Sequence, residues 1–195
     1  MSARIFNHNG ENVTIKIAAL CGSLRSESYN RRLLRAFEKL APENVTMRIL
    51  EIGDLPLMNE DLEAELPKNV QDLNSGIDWS DAVLLITPEY NRSFSPAIKN
   101  ALDWGSRPEG KNRWNGKPVA VAGCTPYALG AFGAQNHLRQ VLMYLNMQPL
   151  QQPEFYMGGA ADKFDQKGEL TDATTIKKIK EVWTAFLGLI GKFNS

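Results

Sequence analysis

The chain has 195 residues, 43% hydrophobic and 23% charged, and its 22 basic and 22 acidic side chains balance to a net charge of zero. That length suits one domain large enough to bury about 70% of the surface its unfolded form exposes. The balance excludes a broad basic face for nucleic acid or an anionic membrane, although a local cluster can still hold one phosphate.

In chain order, Met1 to Thr14 is polar and rich in Asn, without the apolar centre of a secretion signal. No run approaches the roughly 20 apolar residues of a membrane span. The expectation is therefore a cytoplasmic protein with a polar tail over residues 1–14 and one domain over 15–195. Residues 15–21 read as a buried strand that Gly22 ends, and a helix over 28–41 follows, with Leu33, Leu34, Phe37 and Leu40 on one face. Pro42 stops it. A second strand covers 45–50, and a helix over 66–77 carries Val70, Leu73 and Ile77. Residues 81–86 form a third buried strand, stopped at Thr87-Pro88. Pro96 suits the first turn of a helix over 95–105, where its missing N–H costs nothing. A polar loop, 106–117, leads to a fourth strand over 118–124. The remaining elements are a helix over 135–145, a short fifth strand between Gln148 and Tyr156, a polar loop over 157–170 and a final helix over 172–193.

Apolar strands alternating with amphipathic helices imply a parallel sheet covered on both faces, an α/β architecture in three layers. In such a sheet, ligands bind outside the carboxyl ends of the strands at the switch in strand order. With five strands in the order 2-1-3-4-5, the loops after strands one, three and four converge. They are residues 22–30, 87–95 and 124–134.

The first of these suits a phosphate. Gly22 turns without a Cβ clash. Ser23, Ser26, Ser28 and Asn30 offer short donors, and Arg25 offers a charged fork. Ser28 is placed to cap the following helix, whose first amides carry partial positive charge toward the loop. An ordinary capped turn between strand and helix would use the same residues. The dinucleotide pattern G-x-G-x-x-G is absent. Gly105 to Lys111 matches the opening of a nucleotide P-loop, but Asn112 replaces the magnesium-binding hydroxyl and the stretch follows a helix, so ATP and GTP are excluded. The second loop, with Pro88, Glu89, Tyr90 and Asn91 between two prolines, presents backbone groups and one ring. The third, from Cys124 and Thr125 to Gly130, is small enough for a ligand edge to approach. Cys21 and Cys124 form no C-x-x-C or zinc spacing and read as buried small residues. His8 and His137 are too few for a histidine-rich metal site, and no catalytic triad or carboxylate pair stands out.

Taken together, these stretches resemble the NADPH-dependent FMN reductase family, which includes quinone, chromate and azo reductases. The matching pieces are Gly22-Ser23-Leu24-Arg25 with Ser28 and Asn30; Thr87-Pro88-Glu89-Tyr90-Asn91; Lys99-Asn100-Ala101-Leu102-Asp103-Trp104; Gly116-Lys117-Pro118; and His137-Leu138-Arg139-Gln140. The resemblance implies a flavodoxin-like fold that binds FMN. It assigns the phosphate to Ser23, Arg25, Ser28 and Asn30, with Leu24 and Tyr29 in the same stretch. It places Pro88, Glu89, Tyr90 and Asn91 along the isoalloxazine, largely through backbone groups, and Cys124 with Thr125 at the ring edge. Family members are typically dimers or dimers of dimers, so a homodimer is expected, a homotetramer being the other family form. Gly133 stands where one branch often has an arginine that pairs across the tetramer interface. Arg92 stands where an aromatic is common.

The implied activity is oxidoreduction. NADPH or NADH is the co-substrate, and a small molecule such as a quinone, a free flavin, an azo compound or a metal oxyanion is the electron acceptor. Because the cofactor carries that chemistry, no catalytic side chain is named. Two alternatives belong to other classes: a flavodoxin-type electron carrier, which usually has a markedly acidic docking surface, and a flavin-regulated interaction protein.

Overall fold

The computed structural model describes residues 14–193. The expected tail over 1–14 therefore lies, all but its last residue, outside the described residues. The elements run β1 (Ile15–Cys21), α1 (Tyr29–Lys39), β2 (Val45–Ile49), α2 (Lys68–Trp79), β3 (Ala82–Ile86), α3 (Pro96–Gly105), β4 (Pro118–Cys124), α4 (Phe132–Tyr144), β5 (Gln148–Pro149), β6 (Phe155–Met157) and α5 (Ala173–Phe193). Among the described residues, no helix is long and apolar enough to cross a membrane.

All strand pairings are parallel, in the order β2-β1-β3-β4-β5, with β6 also on β4. This is the flavodoxin-like order expected from the sequence, with one correction. The single fifth strand is two pieces on the same edge of β4. Gln148 and Pro149 pair with Pro118 and Val119, whereas Phe155 to Met157 pair with Ala122 to Cys124. Pro149 and Pro153 break the run between them, since a proline cannot donate to a ladder.

The apolar strands split by alternation into two cores. Ile17, Ala19, Leu84, Ile86, Ala120 and Ala122 face the layer of α1 and α5. Ala18, Leu20, Val83, Leu85, Val119 and Val121 face α2, α3 and α4. The period of two in β1, β3 and β4 is thus hidden in sequence because both faces are apolar.

Aromatic side chains anchor each core. Phe37, Phe155, Trp183 and Phe186 are nearly inaccessible, and Phe37 meets Phe155 edge-on with ring centroids 5.3 Å apart. Each such ring contributes about 1.5–3 kcal/mol by leaving water. The indole N–H groups find carbonyls: Trp183 donates to Phe37 O (3.0 Å), Trp104 to Pro56 O (2.8 Å) and Trp114 to Leu102 O (2.9 Å). Trp114 lies in the loop that reads as polar and yet is wholly buried. A Cβ on Gly105 would overlap its indole, so the end of α3 needs a glycine there.

The helices begin as their caps dictate. Ser28 caps α1 and Ser95 caps α3, with Pro96 in its first turn. Each cap stands directly after a loop that leaves the carboxyl end of the sheet, so the capping chemistry also shapes the site.

Candidate active site

The loops after β1, β3 and β4 are tied to one another pairwise. The first tie joins loops one and two. The Gly22 N–H donates to Ile86 O (2.8 Å), and the Ser95 hydroxyl donates to Gly22 O (2.6 Å) while accepting from Ala97 N (3.1 Å). The approach is close enough that a Cβ on Gly22 would lie 2.6 Å from Ser95 Cβ. The second tie joins loops one and three. The Asn30 amide donates to Cys124 O and its carbonyl accepts from Cys124 N, both at 3.0 Å. The third joins loops two and three. Glu89 Oε2 accepts from Ala134 N (3.2 Å) in the first turn of α4, whose own cap residue, Ala131, has no side-chain acceptor. Gly133 leaves room for this: a Cβ there would sit 3.3 Å from both Glu89 carboxylate oxygens.

Loop one is built as an anion cradle. Ser28 Oγ accepts from Asn30 N (3.1 Å) and Arg31 N (3.5 Å), which fills both lone pairs and leaves its O–H to donate. The backbone N–H groups of residues 23–27 make no hydrogen bond to another described residue. Ser23 and Ser28 are buried, whereas residues 24–27 are exposed. Arg31 Nε donates to Ser23 O (3.1 Å) and braces the turn. The Arg25 and Arg32 guanidiniums lie 6.0 and 5.6 Å from the Tyr29 ring, whose other neighbour is Phe164, stacked at 6.2 Å. Unpaired amides, a donating hydroxyl, a helix N-terminus and a guanidinium suit a phosphate monoester. The donor set therefore fits the phosphate end of FMN.

Asn30 departs from expectation. Both ends of its carboxamide engage β4, so the side chain joins two loops and does not reach into the cradle as a short donor. The Glu89 carboxylate likewise serves a tie, turning to α4 and to Arg92 (3.2 Å).

Loops two and three wall a cavity of about 430 Å³, lined by Glu89, Asn91, Arg92, Thr125, Tyr127 and Leu129 with Ala131. That is within the usual range for a small-molecule site. Tyr90 and Ser93 exchange backbone hydrogen bonds of 2.8 and 2.9 Å around a tight turn, with Asn91 and Arg92 both at positive φ. Tyr90 is about half exposed. Thr125 N donates to Met157 O (3.0 Å) and its hydroxyl to Tyr127 O (2.9 Å), which fixes the start of loop three on β6. Pro88 and Cys124 are buried and their side chains are not among those lining the cavity. Burial pushes the Cys124 thiol far above its ordinary range, and neighbouring Cys21 adds to the effect. Such a thiol stays protonated and inert.

Sequence reading missed three supports. Ser95 is legible as a cap but not as a partner of Gly22. Arg31 carries no signal in the sequence that sets it apart from the other arginines of its helix. His137 hydrogen-bonds Ser93 Oγ through Nδ1 (2.8 Å) and packs edge-on against Phe94, steadying loop two against α4.

Comparison with known proteins shows the family. A family profile described as NADPH-dependent FMN reductase matches residues 15–162. A quinone reductase of Pseudomonas putida is 52% identical over 159 residues, which cover 81% of this chain and 86% of that protein. A 2-hydroxy-1,4-benzoquinone reductase of Burkholderia sp. is 39% identical over 168 residues, 86% of this chain and 92% of that one. Among solved structures, the flavoenzyme NAD(P)H:(acceptor) oxidoreductase FerB of Paracoccus denitrificans superposes with a TM-score of 0.87 at 42% identity, covering 92% of this chain and 98% of its own.

Proposed function

The chain belongs to the NADPH-dependent FMN reductase family, and we propose that it is a quinone reductase whose FMN phosphate rests in residues 22–30 and whose ring faces the cavity between loops two and three. It is an FMN-dependent NAD(P)H oxidoreductase. FMN, when bound, would supply the redox chemistry between the nicotinamide and the acceptor. The observation that carries the placement is the set of three ties, Ser95 to Gly22, Asn30 to Cys124 and Glu89 to Ala134, which bring a phosphate-suited loop and a ring-sized cavity together.

The residues divide the work. Ser23, Ser28, Arg25 and the free amides of the first loop hold the phosphate, with Leu24 and Tyr29 beside it. Asn30 contributes by fixing the first turn of α1 to the end of β4. Pro88, Tyr90 and Asn91 form the backbone shelf for the ring, Glu89 keeps that shelf against α4, and Thr125 closes the far side. Cys124 lies under the shelf, where a small, uncharged side chain keeps water out. A quinone acceptor fits the apolar wall of Tyr127 and Leu129 and accords with the names of the similar proteins.

Residues 15–195 act as one FMN-binding domain in this reading, and the protein works as a homodimer. The outer face of α4 supports the dimer, since Phe132, Met143 and Tyr144 are 50%, 74% and 89% exposed. So large an apolar display on one short helix suits a protein contact.

The test is anaerobic mixing of the yellow holoprotein with NADPH and with NADH, followed by a quinone. The flavin absorbance falls with nicotinamide and returns with the acceptor. Flavin that stays oxidised with both nucleotides would sink the proposal.

A further inference from the structure

We propose that Arg92 selects for negative charge on the molecules that enter the cavity, favouring the more anionic nucleotide or acceptor over its less charged counterpart. The inference rests on the reading that this cavity admits the enzyme's reductant and acceptor.

The first observation is backbone cost. Arg92 sits at φ 67° after Asn91 at φ 50°. A turn of this kind favours Asn at the first such position and Gly at the second. An arginine there is strained by its Cβ, so the fold gains nothing from it locally. Strain of this sort at a cavity wall points to a use for the side chain.

The second observation is charge. Arg92 is the cation among the described residues that line the cavity, and Glu89 is the anion. The two meet at 3.2 Å, but their situations differ: the Glu89 side chain is 10% exposed and that of Arg92 is 74% exposed. Glu89 Oε2 also accepts from Ala134 N at the start of α4, where the helix end offsets carboxylate charge. Of the two charges, the guanidinium is therefore the one an entering molecule can reach. One of its N–H groups is held by Glu89, which keeps the fork in place and leaves further donors for an incoming anion. The rest of the entrance, with Tyr127 and Leu129 exposed, suits a flat apolar body. The chain's zero net charge supplies no general attraction that would do the same work.

The ligand is thus flat and carries an anionic group. Two sources share that chemistry: the ribose phosphate that distinguishes NADPH from NADH, and an ionised hydroxyl on a quinone ring. The experiment separates them. Oxidised holoprotein, as wild type, Arg92→Gly and Arg92→Lys, is titrated with NADP⁺ and NAD⁺, and separately with 2-hydroxy-1,4-naphthoquinone and 1,4-naphthoquinone, following the flavin spectrum. Glycine suits the left-handed turn, so Arg92→Gly folds, as its thermal melt will show. In at least one pair, Arg92→Gly weakens the more anionic member by about tenfold relative to the less charged one, equivalent to about 1.4 kcal/mol. Arg92→Lys retains most of the preference. The pair that responds names the source. Unchanged ratios in both pairs, which includes equal weakening of the two members of each pair, would overturn the proposal. Because these are equilibrium titrations, they read Arg92 even if neither nucleotide reduces the flavin, the result that would defeat the proposed function.

Discussion

Asn30 and Cys124 are joined by two hydrogen bonds of 3.0 Å that link the first turn of α1 to the last residue of β4 across 94 positions of sequence. The carboxamide satisfies both backbone groups of Cys124, its N–H and its carbonyl, in a place where both residues are buried. Removing it would strand a buried N–H and a buried carbonyl. Each stranded group costs about 1–3 kcal/mol.

Asn30→Ala is therefore expected to lower stability by about 3 kcal/mol, somewhat less than two full penalties because such effects do not add. Urea unfolding measures it as a fall in midpoint with little change in slope. A loss below about 1 kcal/mol, the size of one ordinary hydrogen bond, would show that the tie is dispensable.

Glu89 gives the second prediction. Its carboxylate caps α4 from another loop, so Glu89→Ala leaves the first turn of α4 without an acceptor at a cost of about 1 kcal/mol. Glu89→Gln keeps an acceptor and loses less. Hydrogen exchange at Ala134 reports the change directly: exchange quickens in the alanine variant and only slightly in the glutamine variant. Equal protection in all three proteins would remove Glu89 from this role.

The last helix supplies a pH dependence. Asp172 stands just before α5 and accepts from Thr175 N (2.8 Å), Thr175 Oγ1 (2.5 Å) and Lys163 Nζ (3.0 Å). The hydrogen bonds from Thr175, and then the ammonium of Lys163, pull its carboxyl from an ordinary 3.8 down to about 2. A lowered folded value means that the unfolded chain takes up the proton first. The stabilisation is complete above the ordinary value and is lost as pH falls from about 4 toward 2. Asp172→Asn keeps the cap without the titration. Its unfolding midpoint should drop less than that of the wild type between pH 5 and pH 2.5, and parallel losses would contradict the assignment.

Much of this architecture is legible in the chain. Ala82–Ile86 and Pro118–Cys124 are apolar along their whole length and Ile15–Cys21 is apolar but for Lys16, which identifies central parallel strands. Ser28 and Ser95 mark helix starts because capping is a local matter. What escapes is non-local. Gln148–Pro149 and Phe155–Met157 are too short to show a period, and only the edge of β4 makes them strands. Trp114 stands among polar residues and is buried by a contact with α3. Asn30 and Glu89 look like ligand-facing polar residues in sequence. Their partners, Cys124 and Ala134, become visible only once the loops have met.

The claim that loop one holds the flavin phosphate is tested most directly by titrating flavin-free protein with FMN and with riboflavin, which differ in that phosphate alone. Two or more charge-assisted contacts of at least about 1.5 kcal/mol each predict that FMN binds on the order of a hundredfold more tightly. Arg25→Ala should narrow the gap by about tenfold while leaving riboflavin binding as it was. Equal dissociation constants for FMN and riboflavin in the wild-type protein would contradict the account.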